Sequence, residues 1–502
     1  MIQEARKYQA YYTNSVPIVN YMVEKLSLKQ EDRIFEPCGG DGVFVEAILD
    51  SNPNAMIDVC EINHQSVRIL QDKFYNYPAT NIRQCDTLLD NDLIFHSRFG
   101  GLYDKIIANP PYGAWQDYDK RNDLKKLFPD VYTKETYTLF LYRCIELLKT
   151  GGILSFIIPD TFLTLHSHKA IRKQILTKTK ILELALFPSS FFPDVHFGYA
   201  NLSIITLQKG NDKKECTNNS FRVITGFSDV QQLADVTDNK LKTLIFVQKS
   251  ILENPDHAFL IANNSKIIET INHSKLKVGD IAYCVTGFYS GNDKKFMQVI
   301  SSDLKNGKNY ALVNQNSINK EYRENPDILT GIEHEKCFLP IVKGGNTKYL
   351  KPENWFMNWS KEAVHHYKTD QKARYQNSQF YFKFGIGVPM VSSSSITASL
   401  IENKLFDQSI VGIFPKDEKL TYYLLAFFNS PTCNQLIRTI NSSANNPANY
   451  IKKIPFVMPD EDALEKITDK MLGIISSIKE NGSFDESVET QMNHYFKFVY
   501  GF

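Results

Sequence analysis

From Arg33 onward, apolar and polar positions follow one repeating pattern: a short apolar run, a polar turn, then apolar residues at helical spacing. "DRIFEPCGGDGVFVEAILDS" predicts a strand, a glycine-rich turn and a helix whose apolar face carries Val43, Phe44, Ala47 and Ile48. "AMIDVCEINHQSVRILQDKF" repeats it, with Val67, Leu70 and Phe74 at helical spacing, and "YDKIIANPPY" adds a further strand. Acidic residues close the first three strands at Glu36, Glu61 and Asp86, each 25 residues after the last. A strand of about 5 residues, a helix of about 12 and two loops of about 4 fill such an interval. The pattern therefore predicts an α/β fold, a doubly wound and mostly parallel sheet. The three carboxylates would lie side by side on its carboxyl edge, where the binding crevice of such sheets forms.

The same pattern continues with a helix at "LFLYRCIELL" (Leu139 to Leu148) and a buried strand within "KTGGILSFIIPDTFL". "KILELALFPSSFFPDVHFGYANLSIITLQKG" adds two strand-like runs around an aromatic, proline-broken loop. After Gly210 the texture turns polar, which places the end of a first domain between there and about Asn263. We divide the 502 residues into domains at 1–260 and 261–502. Between the Asn109 strand and the Leu139 helix, "GAWQDYDKRNDLKKLFPDVYTKETY" shows no clear period and reads as a mobile segment that closes over substrate.

Composition narrows the classes. With 43% hydrophobic and 23% charged residues, the chain is an ordinary folded protein, and its 57 basic against 56 acidic residues neither suggest nor exclude a nucleic-acid partner. No apolar run approaches the roughly 18 to 20 residues of a membrane span, and the amino terminus lacks a signal-peptide core. The 8 cysteines form no CxxC pair, so neither a metal site nor a disulfide framework is signalled, and a reduced, cytoplasmic setting is expected.

Two stretches carry candidate chemistry. In "FEPCGGDGVF", Gly39, Gly40 and Gly42 permit a tight turn and close approach of a ligand, although the loop alone reads equally as a plain strand-to-helix turn. It is not a GxGxxG loop, and Asp41 would repel a pyrophosphate, so a nucleoside without phosphate fits better. Glu61 is placed to accept from two ribose hydroxyls and Asp86 from an adenine amino group; each alone reads also as a solvated carboxylate. In "IIANPPYGAW" a strand stops abruptly at Asn109, Pro110, Pro111 and Tyr112, because proline lacks a donor and fixes its own φ.

"EPCGGDG", the strand ends at Glu61 and Asp86, "NPPY" and "LLKTGGILSFIIPDTFL", in this order, resemble the bacterial DNA adenine amino-methyltransferases of restriction-modification systems, gamma class. The resemblance covers roughly Ala10 to Gly210 well and the remainder more loosely. It implies S-adenosylmethionine (AdoMet) as cofactor, double-stranded DNA as substrate, and transfer of a methyl group to the amino nitrogen of a flipped adenine. By position in the motifs it implies Thr13, Glu36, Pro37, Gly39, Glu61 and Asp86 as cofactor contacts, and Asn109, Pro110, Pro111 and Tyr112 as the catalytic loop. Thr13 also reads as a helix cap before "VPIVNYMVEKL". Tyr112 and Phe192 are the implied base-stacking surfaces, with Phe191 and Phe197 as alternatives to Phe192. Similar NPPY sequences occur in methyltransferases of protein glutamine and of RNA guanine, which stand as the rival reading beside a non-catalytic DNA specificity module.

The second half combines β-rich runs, Gly turns, Lys and Asn, and resembles the target-recognition domains of these enzymes, a mixed α/β unit with DNA in the cleft between the domains. Lys294, Lys295, Lys343 and Lys348 are candidates to meet phosphates, while each reads also as a surface charge. Glu402 and Lys404 form an isolated Glu-x-Lys without a well-spaced Pro-Asp, so a cognate restriction endonuclease is expected, if at all, in a separate chain. A monomer or weak dimer is expected.

Overall fold

The computed structural model describes residues 15–112, 118–191, 201–236, 241–262, 264–324, 328–392, 395–441 and 443–502. The chain divides into two compact units, one up to residue 263 and one from residue 264.

The first unit is built on a nine-stranded sheet. Its strands are β1 (Arg33–Glu36), β2 (Met56–Glu61), β3 (Thr80–Gln84), β4 (Tyr103–Ala108), β5 (Leu148–Pro159), β6 (Thr179–Phe187), β7 (Leu202–Lys209), β8 (Ser220–Thr225) and β9 (Lys242–Val247). They lie in the order β3-β2-β1-β4-β5-β7-β6-β8-β9. The five strands from β3 to β5 pair in parallel, and β7 inserts antiparallel between β5 and β6. Strand order reverses between β1 and β4, which makes that junction the topological switch point of a doubly wound sheet.

Helices α1 (Val16–Lys25), α2 (Val43–Ser51), α3 (His64–Lys73), α4 (Asn91–Arg98), α5 (Tyr118–Leu127) and α6 (Thr136–Leu147) accompany these strands. The spacing read in α2 is helical, but its buried face is Phe44, Val45, Ile48 and Leu49; Val43 and Ala47 are only half-buried. Asn63 caps α3, its side chain accepting from the backbone N–H of Gln65 and Ser66. Buried Glu183 of β6 accepts the hydroxyl of Tyr21 and pairs with Lys25, 3.0 Å away, and with Arg222, which fastens α1 and β8 to β6.

Two expectations need correction. The stretch read as a segment without a period contains α5, whose Leu124, together with Phe128 just beyond it, is buried. Leu124, Leu127 and Phe128 hold helical spacing inside a run of charges that masks it. A disulfide also joins Cys60 and Cys85, Cα atoms 5.5 Å apart, where no framework was signalled. The 25-residue period that puts Glu61 at the end of β2 and Asp86 in the turn after parallel β3 brings these two cysteines together as well, each directly before a carboxylate.

The second unit holds two sheets. The four-stranded one is antiparallel, of β10 (Ala282–Thr286), β18 (Ile410–Pro415), β15 (Phe384–Pro389) and β16 (Ser399–Glu402), in that order. The five-stranded one is mixed, of β12 (Ala311–Leu312), β11 (Met297–Val299), β14 (Trp355–Asn358), β13 (Phe338–Val342) and β17 (Leu405–Phe406). Buried Trp359 packs with Phe288, Tyr367 and Tyr381, and helices Glu461–Asn481 and Glu486–Tyr500 end the unit. No helix among the described residues is long and apolar enough to cross a membrane.

Candidate active site

Because β1 and β4 are neighbours, the glycine loop after β1 and the Asn109 loop after β4 emerge side by side. A direct contact joins them: the Cys38 thiol donates to the Asn109 backbone carbonyl at 3.4 Å. Burial first, and then the nearby Glu36 and Glu61, push that thiol well above its ordinary range, so it stays protonated and able to donate.

The loop is shaped by its glycines where the backbone requires them. Gly42, at φ 78°, would put a Cβ 2.6 Å from the Phe74 ring, so α2 starts here only with glycine. Gly40 donates its N–H to Glu61 Oε2 at 2.9 Å, while Asn63 donates to Glu61 Oε1 at 2.8 Å. Both Glu61 oxygens thus accept backbone N–H groups, which fixes the carboxylate against the glycine loop. Burial raises the Glu61 pKa against the pull of these N–H groups.

Glu36 lies deeper, 2% exposed, and its Oε2 has no hydrogen-bond partner among the described residues. Burial first, then Asp41 and Glu61, hold its pKa well above the carboxylate range. A buried acid with an orphaned oxygen beside two further acids favours a cationic ligand. AdoMet carries both a sulfonium and an α-ammonium and no phosphate, so this donor set fits it.

The raised Glu36 pKa makes a stability prediction. A carboxyl whose folded pKa is raised loses stability as pH rises through that pKa, because only its ionised form suffers from burial. Glu36→Gln is therefore expected to melt higher than the wild type at pH 8, by roughly 2–4 °C for each kcal/mol relieved, with the gap closing toward pH 5. Melting curves at the two pH values check this; an equal gap at both would remove the ionisation argument.

Asp86 lies two residues beyond the end of β3, in the turn before α4. Its Oδ1 accepts the Leu88 N–H at 3.1 Å, and its Oδ2 pairs with Lys120 of α5 at 2.6 Å. Pro37 is tied to the same edge, its carbonyl accepting the Thr87 hydroxyl at 2.6 Å. In the loop after β4 the Tyr112 hydroxyl lies 2.6 Å from Asn109 Oδ1 and 3.0 Å from the Ile157 carbonyl. The Tyr112 ring is 7% exposed and meets Tyr137 edge-on at 6.2 Å.

The structure brings Glu36, Pro37, Gly39, Glu61, Asp86 and the 109–112 loop to one sheet edge. Thr13, Phe192 and Phe197 lie outside the described residues, while Phe191 is half-buried and stacked on Phe187 at 5.5 Å. Cys38, Thr87 and Lys120 were not read as site residues, since nothing in one sequence tells which distant residues reach a strand end. Of the four lysines noted in the second unit, Lys294 and Lys295 are exposed. Lys343 lies 3.6 Å from both Asp293 and Asp407, and Lys348 pairs with Glu489. Among the described residues no group of three or more His, Cys, Asp or Glu side chains is placed to hold a metal ion.

Residues 48–192 match the Eco57I restriction-modification methylase family. The chain is 28% identical over 249 residues to the type II methyltransferase M.AccI of Acinetobacter calcoaceticus, covering 48% of this chain and 44% of that protein. It is 23% identical over 384 residues to the adenine-specific methyltransferase BrxX of Escherichia coli O9:H4 (strain HS), covering 74% of this chain and 29% of that protein. The match spans less than half the length of either relative. A nuclease-deletion mutant of the Type ISP restriction-modification enzyme LlaGI, solved in complex with a DNA substrate mimic, is similar in fold. The TM-score is 0.57 and the identity 11%, over 93% of this chain and 54% of that one. The part of the first unit that matches the Eco57I restriction-modification methylase family includes the Asn-Pro-Pro-Tyr loop at the switch point of its sheet.

Proposed function

We propose that this protein is a site-specific DNA adenine-N6 methyltransferase, the modification part of a restriction-modification system. Residues 1–260 form its catalytic part and residues 261–502 its target-recognition part. It acts on double-stranded DNA in the cytoplasm, as a monomer or weak dimer, with any cognate restriction endonuclease in a separate chain. The observation that carries this reading is the Asn109-Pro110-Pro111-Tyr112 loop at the end of β4, hydrogen-bonded to the glycine loop of the neighbouring strand. The relative BrxX is an adenine-specific methyltransferase, which points the same way.

The amino group of adenine is a poor nucleophile because its lone pair is delocalised into the ring. The Asn109 side-chain oxygen and the Pro110 carbonyl accept its two hydrogens and favour a tetrahedral nitrogen as positive charge grows there. The Pro-Pro pair fixes the direction of the second acceptor. Before a base enters, the Tyr112 hydroxyl donates to the Asn109 side-chain oxygen. AdoMet, when bound, supplies an electrophilic methyl group. Glu61 holds its ribose, Asp86 its adenine, and Glu36, Pro37, Gly39 and Thr13 its methionine end.

A base in duplex DNA must first leave the stack, at about a few kcal/mol. Phe192 and Tyr112 supply the faces that hold it, which for Tyr112 requires the ring to turn out of its buried position.

Lys120 and an adenine amino group compete for the same oxygen of Asp86. Lys120→Ala is expected to tighten AdoMet binding by about 2- to 5-fold, the size of a partly screened ion pair. Calorimetric titration checks this, and an affinity unchanged or weakened would show that Lys120 does not compete.

The deciding experiment is transfer from methyl-labelled AdoMet to unmethylated duplex DNA, followed by digestion to nucleosides. Label in 6-methyladenosine at discrete sites supports the reading. Label in RNA or protein instead would keep the catalytic chemistry and overturn the substrate, and AdoMet binding without any transfer would favour a non-catalytic specificity module.

A further inference from the structure

In the second unit, the loop joining β13 to β14 closes over a pocket of about 100 Å³. Lys343, Lys351, Lys404, Thr347 and Asn354 line it together with the ends of the two strands. A water occupies about 30 Å³ in the liquid, so the pocket has room for a tetrahedral oxyanion.

Its cations differ in their partners. Lys343 lies 3.6 Å from Asp293 and from Asp407, and Lys404 is paired with Glu353 at 3.0 Å and Glu402 at 3.4 Å. Glu353, the one acid on the pocket wall, is thereby committed. Lys351 meets only neutral oxygens, the carbonyls of Lys343 at 2.8 Å and Gly345 at 3.0 Å. An ammonium has three N–H donors, and the third of Lys351 has no partner among the described residues. Burial alone, with no carboxylate to offset it, draws the Lys351 pKa down to about 8.

We infer that this pocket takes one backbone phosphate of DNA, seated on the Lys351 ammonium, and that it sets the register of the recognition unit on the duplex. The inference rests on the reading of the second unit as DNA-binding. Of the four lysines noted from the sequence, Lys343 and Lys348 already have carboxylate partners and Lys294 and Lys295 do not line the pocket, so its cation for a phosphate is one that sequence did not single out.

The test is fluorescence anisotropy of a labelled random-sequence duplex with the full chain, over salt from about 50 to 200 mM. One lost phosphate contact lowers the slope of log K against log salt by about 0.9. Lys351→Met is expected to show that drop with a melting temperature at or above wild type, and Lys351→Arg, which keeps the charge, to retain the wild-type slope. A Lys351→Met variant that binds DNA with an unchanged slope overturns the inference and leaves the proposed methylation standing. So does a melting temperature raised by inorganic phosphate in the wild type but not in Lys351→Met, with the DNA slope unchanged, because the pocket would then serve a free oxyanion. No duplex binding by the wild type withdraws the DNA reading itself.

Discussion

Asn109→Ala is expected to lower the rate of methyl transfer by about 10²–10³-fold or more, with AdoMet affinity near that of the wild type. The separation follows from position. Asn109 follows β4, and its hydrogen bonds to Cys38 and Tyr112 lie apart from those of Gly40 and Asn63 that position Glu61. Its side-chain oxygen matters where charge develops on the amino nitrogen, and a preorganised partner of that kind acts on kcat rather than on binding. Alanine also removes one acceptor of the Tyr112 hydroxyl while the Ile157 carbonyl stays, a change too small to unfold the unit. Single-turnover transfer beside calorimetric AdoMet titration checks both halves. Turnover within tenfold of wild type would remove Asn109 from the chemistry, and loss of AdoMet binding would make its role structural.

Glu61→Gln should weaken AdoMet binding almost as far as Glu61→Ala, by roughly 10- to 100-fold, the size of one or two charge-assisted hydrogen bonds. The substitution looks conservative and is not. Both carboxylate oxygens accept backbone N–H groups, from Gly40 and Asn63. A glutamine presents one oxygen and one NH2, so a donor faces a donor on one side and the glycine loop loses its anchor. Titration of both variants with AdoMet and with adenosine checks this. Adenosine retains the ribose and should lose affinity in parallel, whereas a Glu61→Gln variant with wild-type affinity would detach the carboxylate from the cofactor.

The parallel half of the sheet could be read from the chain because its units are regular: the 25-residue spacing of Glu36, Glu61 and Asp86 is what one strand, one helix and two turns require. Asp86 shows the limit of that reading, since β3 stops at Gln84 and the acid belongs to the following turn. Helix α5 was hidden because Leu124, Leu127 and Phe128 are embedded among Asp, Lys and Arg, which make a solvated face look like a loop. The contacts that specify the site were not legible at all. Lys120 reaches Asp86 across 34 residues and Cys38 reaches Asn109 across 71, and such pairings depend on strand order, which no local pattern records. The second unit was least legible for the same reason: Lys348 looks like any surface lysine until Glu489, 141 residues on, folds against it.

The pairing of β1 with β4 also says when the site comes into being. Ile34 and Phe35 sit beside Lys105 and Ile106 only after two complete strand-helix units between them have been laid to the far side of β1. That pairing closes a long loop, and contacts of such sequence separation form late and slowly. A nascent or partly unfolded chain can therefore hold its glycine turn and its Asn-Pro-Pro-Tyr turn, each locally shaped, and still possess no catalytic centre.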